Sequence, residues 1–335
     1  MDNKKMKKLL WDSAIYIVLL ALIIVIIVTE PSFLSLKNFE NIFKQSSTKL
    51  IISLGVAGII ITQGTDLSAG RQVGLAALVS ASLLQMSTYA TKYYPNLALD
   101  NGFDVFLVIL GVMAITAVIS GANGFIVSKL NVTPFVATLG MMTIVFGINN
   151  IYFEKNPHGA TPISGFIKQF KTLATGEIFG FIPIIVLIAI VTTIIVYILW
   201  NHTKFGKNMY AIGGNPEAAQ VSGVNIILYT VLVYMLGGAL YGLAGALEAA
   251  RITSVSSTFG NMYELDAIAA AVVGGVSFSG GVGKVQGVIA GVLIFAVISY
   301  GLTYIGITPF VQMIIKGVII ILAVAIDAQK NKIST

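Results

Sequence analysis

Cysteine is absent from the 335 residues, so the chain has no disulfide framework and no thiolate metal site. Only two histidines occur, His158 and His202, which argues against a His-based metal centre or catalytic triad. Charge is scarce as well. Charged residues make up 10% of the chain, against about a quarter in soluble domains. No basic run is long enough to hold a nucleic acid, so the net charge of +6 is assigned to lysines beside apolar runs. A G-x-x-x-x-G-K-[ST] phosphate loop is missing, which excludes the usual route to ATP hydrolysis. Ser277-Phe278-Ser279-Gly280-Gly281 has a slight look of an ATPase signature, but without a phosphate loop that reading is discarded.

What the chain does have is apolar length, with 56% hydrophobic residues. Ten apolar segments read as membrane helices: 11–28, 48–63, 72–86, 105–130, 133–150, 181–200, 226–250, 265–276, 285–304 and 309–326. Helix is expected for each, because a lipid-facing backbone must satisfy its own hydrogen bonds. Three of the ten (48–63, 72–86 and 265–276) are short for a full crossing. The fold class is therefore an all-α integral membrane protein of about ten transmembrane helices, some short or interrupted. The basic N-terminus (Lys4, Lys5, Lys7, Lys8) precedes a first helix with no cleavage site after it.

Ten crossings put both termini on one side. Lysine and arginine favour that side as cytoplasmic, with Arg71 counted there and Lys49 and Arg251 outside. Trp11 and Trp200 then read as anchors at the cytoplasmic interface. The long outer loop, 151–180, is free to touch something outside the cell.

The polar stretch 201–225 organises the rest. Asn215 is a good N-cap, and Pro216 suits the first helical position, where its missing N–H costs nothing. Glu217 favours the positive end of the helix dipole. Ala218 and Ala219 continue a short helix, and Gly223 ends it. Two glycine-rich polar breaks share the pattern G-x-x-[LF]-S-x-G. One aligns Gly64, Ser68 and Gly70; the other aligns Gly275, Ser279 and Gly281. Such breaks serve either as sites within the bilayer or as turns between short helices. A second echo pairs Thr133-Pro134-Phe135 with Thr308-Pro309-Phe310, and together the two echoes point to an internal duplication. The topology does not reconcile the two echoes cleanly, since it puts the proline pair on opposite sides and the glycine pair on the same side, which leaves one span open to revision. Gly283, Gly287 and Gly291, and likewise Gly238 and Gly242, read as helix-packing positions. Lys316 lies in a span, where it either snorkels, pairs with a carboxylate such as Glu248 or Asp66, or lines a wet path; a structural pair is favoured over a substrate contact.

Here the residues carry a family likeness. E-A-A-Q-V-S-G at 217–223 resembles the coupling loop of bacterial ABC-importer permeases. T-Q-G-T-D-L-S-A-G-R-Q-V-G-L-A-A, T-P-F-V-A-T-L-G, F-G-K-N-M-Y-A-I-G-G-N-P-E-A-A, Y-E-L-D-A-I-A-A and V-V-G-G-V-S-F-S-G-G-V-G resemble the ribose/galactose branch of that family. Within the branch, the run Thr62 to Arg71 is most similar to galactose/methylgalactoside members.

The resemblance implies one transmembrane permease domain over 1–335, with the coupling loop at 201–225. It implies a homodimer in the bacterial inner membrane, and no cofactor in this chain. ATP and Mg belong to a partner subunit with two ATP-binding halves, and a periplasmic or lipid-anchored sugar-binding protein delivers the cargo. The docking residues it implies are Asn215, Pro216, Glu217, Ala218, Ala219 and Gly223. Sugar contacts need polar groups beside apolar faces, and polarity and position select Gln63, Asp66, Ser68, Asn123, Asn149, Ser277 and Ser279. Permeases for ribose, xylose or nucleosides share the scaffold. An ion-coupled secondary transporter is the rival class, disfavoured by few carboxylates in the apolar runs and by a coupling helix without a purpose.

Overall fold

Helix α10 (Ile226–Ile252) is the hub, packing against α2 (Leu36–Ile61), α3 (Ala69–Leu83) and α4 (Gly102–Leu130). The computed structural model describes residues 19–334. The chain begins there in α1 (Leu19–Thr29), so Trp11 lies outside the described residues. The remaining helices are α5 (Pro134–Glu154), α6 (Lys168–Thr175), α7 (Ile184–His202), α8 (Lys204–Gly214), α9 (Pro216–Val221), α11 (Tyr263–Val273), α12 (Val285–Tyr304) and α13 (Pro309–Ser334). Among the described residues, α4, α5, α7, α10 and α12 are long and apolar enough to cross a membrane.

Small residues let these helices approach closely. Gly238 and Gly242 of α10 lie against the α4 backbone at Thr116 and Val112. Gly287 and Gly291 of α12 lie against Gly274 and Ala270 at the end of α11. Their expected packing role is therefore fulfilled within one chain. Large apolar side chains instead point outward from α4 and α7, such as Phe106, Val118, Ile194 and Ile198. That inverted distribution suits a lipid solvent.

The two ends of the bundle differ. One holds α8, α9 and both glycine breaks. The other holds the antiparallel pair β1 (Ile163–Ser164) with β4 (Ser254–Val255), the helix α6, and the hairpin β2 (Glu177–Ile178) with β3 (Ile182–Pro183). The loop 151–180 is thus largely folded. Pro134 starts α5 beside the coupling segment, whereas Pro309 starts α13 beside Thr303 at the other end. The proline pair is therefore at opposite ends and the glycine pair at one, so the conflict between the two echoes does not come from a misplaced span there.

Several expectations change. The span 48–63 is the second half of α2, which begins at Leu36 with Ser35 accepting from the Asn38 N–H. Polar residues such as Lys37, Asn41 and Lys44 hid that first half from a hydropathy reading, and Lys44 pairs with Glu40 and with Glu177 of β2. The segment 72–86 begins earlier, at Ala69. Trp200 is no interfacial anchor. It is 1% exposed and sits against Gly58 and Gly206, so it is core.

Lys316 is paired with Asp266 at 2.8 Å, and Lys49 shares that carboxylate at 3.4 Å; neither Glu248 nor Asp66 takes the role. Glu248 instead pairs with Arg251 at 2.7 Å and accepts from Thr48 at 2.8 Å. Lys49 lies near the middle of α2, so α11 starts at mid-depth and its eleven residues run only to the coupling end. The chain enters it from β4 as non-helical backbone. Lys49 and Arg71 thus belong to the interior rather than to surface loops. Asp66, Glu248, Glu264 and Asp266 also lie inside the bundle, so carboxylates there are more numerous than the apolar runs implied.

Candidate coupling and transport site

Helix α9 forms for local reasons. The Asn215 side-chain oxygen accepts from the Ala218 N–H at 2.9 Å, and Pro216 opens the helix. At the far end the Val224 N–H donates to the Ala219 carbonyl, and the Gly223 N–H to that of Gln220. These two bonds form a Schellman cap, which needs a left-handed residue, and Gly223 supplies φ +85°. Ala219 faces its own chain, 5% exposed. Glu217, Ala218 and Gln220 face away from it, and Val221 is 91% exposed. An apolar side chain that open, on a rigid two-turn stub, marks a contact surface.

Helix α8, which hydropathy did not reveal, links this stub to both breaks. Its last turn presents the Gly213 carbonyl, which accepts from Gln63 Nε2 at 2.9 Å. The Gly281 N–H donates to the Ile61 carbonyl at 2.8 Å, and the Tyr210 hydroxyl donates to the Gly283 carbonyl at 2.8 Å. A methyl on Gly213 would lie 1.8 Å from the Ile61 carbonyl, so only glycine fits. The end of α2, the second break and the coupling segment therefore form one bonded unit.

The first break then turns inward. Asp66, Ser68, Gln72, Ser120 and Asn123 are all 0% exposed. Asp66 accepts from the Ser68 N–H at 2.9 Å and the Ser68 hydroxyl at 2.5 Å. Gln72 Nε2 donates to Ser68 at 2.9 Å, and Asn123 Nδ2 donates to the same hydroxyl at 3.0 Å. The Ser120 hydroxyl donates to Gln72 Oε1 at 3.1 Å. This network joins α3 to α4 and brings together three of the expected residues: Asp66, Ser68 and Asn123. Gln63 is exposed at the coupling end. Ser277 is buried and Ser279 exposed in the second break, where the Ser279 N–H donates to Ser277 Oγ at 3.2 Å.

Asn149 lies elsewhere, with Nδ2 donating to the Arg71 carbonyl at 3.0 Å. Sequence reasoning missed what surrounds it. Arg71 stacks over Phe146 at 4.3 Å, and its Nη2 donates to Asn261 at 2.7 Å. An arginine beside D-L-S-A-G in an apolar context was the available signal.

A helical membrane chain with a capped, outward-facing stub tied to broken helices defines a permease class. The profile of the family described as branched-chain amino acid transport system / permease component matches residues 38–324, and the chain belongs to that family. It is 55% identical to the galactose/methyl galactoside import permease protein MglC of Escherichia coli (strain K12), over 98% of both chains. The protein of that name from Haemophilus influenzae is 54% identical, again over 98% of both. The ribose import permease protein RbsC of Escherichia coli (strain K12) is 34% identical, over 97% of this chain and 96% of the relative. No solved structure matches the chain.

Proposed function

We propose that this chain is the membrane subunit of an ATP-driven importer for galactose, methylgalactoside and glucose. The observation that carries the reading is the 55% identity, over 98% of both chains, to a permease named for galactose and methyl galactoside. The 34% identity to a ribose permease makes the pentose reading weaker. The subunit works as a homodimer in the inner membrane with both termini in the cytoplasm. ATP and Mg are used by a tandem ATP-binding partner, and a periplasmic or lipid-anchored binding protein delivers the sugar.

In this reading α9 is the coupling helix. Glu217, Ala218 and Val221 meet the ATPase, while Asn215, Pro216, Ala219 and Gly223 hold the stub rigid. Motion of the stub passes through Gly213 to the ends of both breaks, which the bonds from Gln63 and Gly281 support. A contiguous bonded unit of this kind transmits displacement without a separate wire. The pathway draws on Asn149, Ser277 and Ser279, and the network of Asp66, Ser68 and Asn123 sets the position of α3 beside it.

Uptake of labelled galactose, in cells with and without the gene and lacking other galactose routes, tests the proposal. Loss on deletion, with competition by unlabelled glucose but not ribose, is the expected result. Unchanged galactose uptake sends the assignment to the pentose or nucleoside branch.

A further inference from the structure

Three buried polar atoms near the first turn of α3 have no hydrogen-bond partner among the described residues: Arg71 Nη1, Asn149 Oδ1 and Glu264 Oε2. Asn149 is 0% exposed and Glu264 8% exposed. Each such atom costs free energy unless something else satisfies it, and these three lie around the same turn. They come from α3, α5 and α11, and glycine brings the elements together. A methyl on Gly70 would lie 2.0 Å from Glu264 Oε2 and 2.4 Å from the Gly260 carbonyl. A methyl on Gly74 would lie 2.4 Å from the Phe259 carbonyl and 3.3 Å from Asn149 Nδ2. The segment that supplies Asn261 ends in a left-handed residue, Met262 at φ +64°, a conformation that non-glycine residues hold only when surroundings enforce it.

The chemistry of the cluster is mixed. Arg71 offers donors, Asn149 Oδ1 and Glu264 Oε2 offer acceptors, and Phe146 offers a partly exposed aromatic face under the guanidinium. Asn261, which already holds Arg71 Nη2, is exposed, so the cluster reaches the surface of the chain. An inorganic anion would satisfy the arginine and repel the glutamate, and a cation would do the reverse. A neutral polyol satisfies all three, because every hydroxyl is both donor and acceptor.

We infer that Arg71, Phe146, Asn149, Asn261 and Glu264 form a mid-depth hydroxyl-reading site that the sugar contacts on its way across. The inference rests on the sugar-importer reading above and adds the residues that discriminate among sugars. Asn261 acts through Arg71, so it positions the guanidinium and is open to the ligand as well.

The test uses the full chain expressed with its ATPase and binding-protein partners in cells without other galactose routes. Initial uptake of labelled galactose and of labelled methylgalactoside is measured for wild type, Arg71→Gln and Asn261→Ala. Galactose uptake falls about tenfold or more in both variants, the ratio of the two sugars shifts by about threefold or more, and the variants still co-purify with the ATPase. Rates within about twofold of wild type for both sugars overturn the site. An equal proportional loss of both sugars, with assembly intact, also overturns it, because a merely structural role leaves selectivity unmoved. If Arg71→Gln fails to assemble, Asn261→Ala decides, since its side chain is exposed. A wild-type chain that imports neither sugar rejects the functional reading itself, and with it the ligand named here.

Discussion

At residues 66–68 and again at 277–279, a side-chain oxygen accepts from the backbone N–H two residues on: Asp66 from Ser68, and Ser277 from Ser279. Each break also follows a Schellman-capped helix. The left-handed residue is Gln63 at φ +61° after α2 and Gly275 at φ +87° after α11. The turns match in the register that pairs Gly64 with Gly275, yet the helix ends are displaced by one residue, since Gln63 rather than Gly64 takes the left-handed position. Beyond the turn the two diverge. The first carries a carboxylate into a sealed network with α4. The second carries two further left-handed glycines, Gly280 and Gly281, against the coupling segment. The same turn therefore anchors one break to the bundle and leans the other on the end of α8.

That contrast can be broken in graded steps. Gly213→Val strikes the contact common to both breaks. The added side chain overlaps the Ile61 carbonyl, and we expect loss of assembled complex, read by co-purification with the ATPase. Asp66→Ala comes next. It strips the acceptor from the Ser68 N–H and hydroxyl, at about 1–3 kcal/mol for each stranded donor, and abolishes uptake while the complex still assembles. Wild-type uptake by that variant shows that transport does not depend on the Asp66 network.

Ser277→Ala removes the matching acceptor beside an exposed Ser279. A loss of about 1 kcal/mol and a modest drop in uptake are expected, seen as a small fall in thermal unfolding midpoint. A loss as large as that of Asp66→Ala would erase the distinction between the breaks. Gly275→Ala is the mildest. No side chain crowds the position, so only the left-handed backbone resists, at about 1 kcal/mol, and transport persists. Separately, Glu217→Lys reverses the charge in the first turn of α9 and weakens co-purification of the ATPase, which checks the coupling assignment.

Long apolar runs were legible, because hydropathy reports on lipid-facing helices such as α12, read as 285–304 and found at Val285–Tyr304. The stub α9 was legible for a different reason: its cap, proline and closing glycine are local chemistry. The first half of α2 was not, since Asn41 and Lys44 meet other parts of the chain, Tyr300 of α12 and Glu177 of β2, rather than lipid. Nor was α8, whose glycines read as loop until Ile61 and Trp200 are seen to require them. The partner of Lys316 was beyond reach as well. A lone lysine demands a carboxylate, but only tertiary placement selects Asp266 over Glu248. The cluster at Arg71 escaped because it joins residues from α3, α5 and α11 that no local spacing connects.

Helix α11 bears on how the chain is made. Eleven residues rise about 16 Å, roughly half the hydrocarbon thickness. Such a segment, carrying Glu264 and Asp266 in its first turn, is a poor candidate for insertion on its own. It becomes stable only once Lys49 of α2 and Lys316 of α13 are available to its acidic residue. Lys316 lies 50 residues beyond Asp266 and so emerges from the ribosome after it. The settling of α11 therefore depends on a helix made after it: α2 is in place early, and the acidic residue of α11 gains its second lysine only when α13 follows.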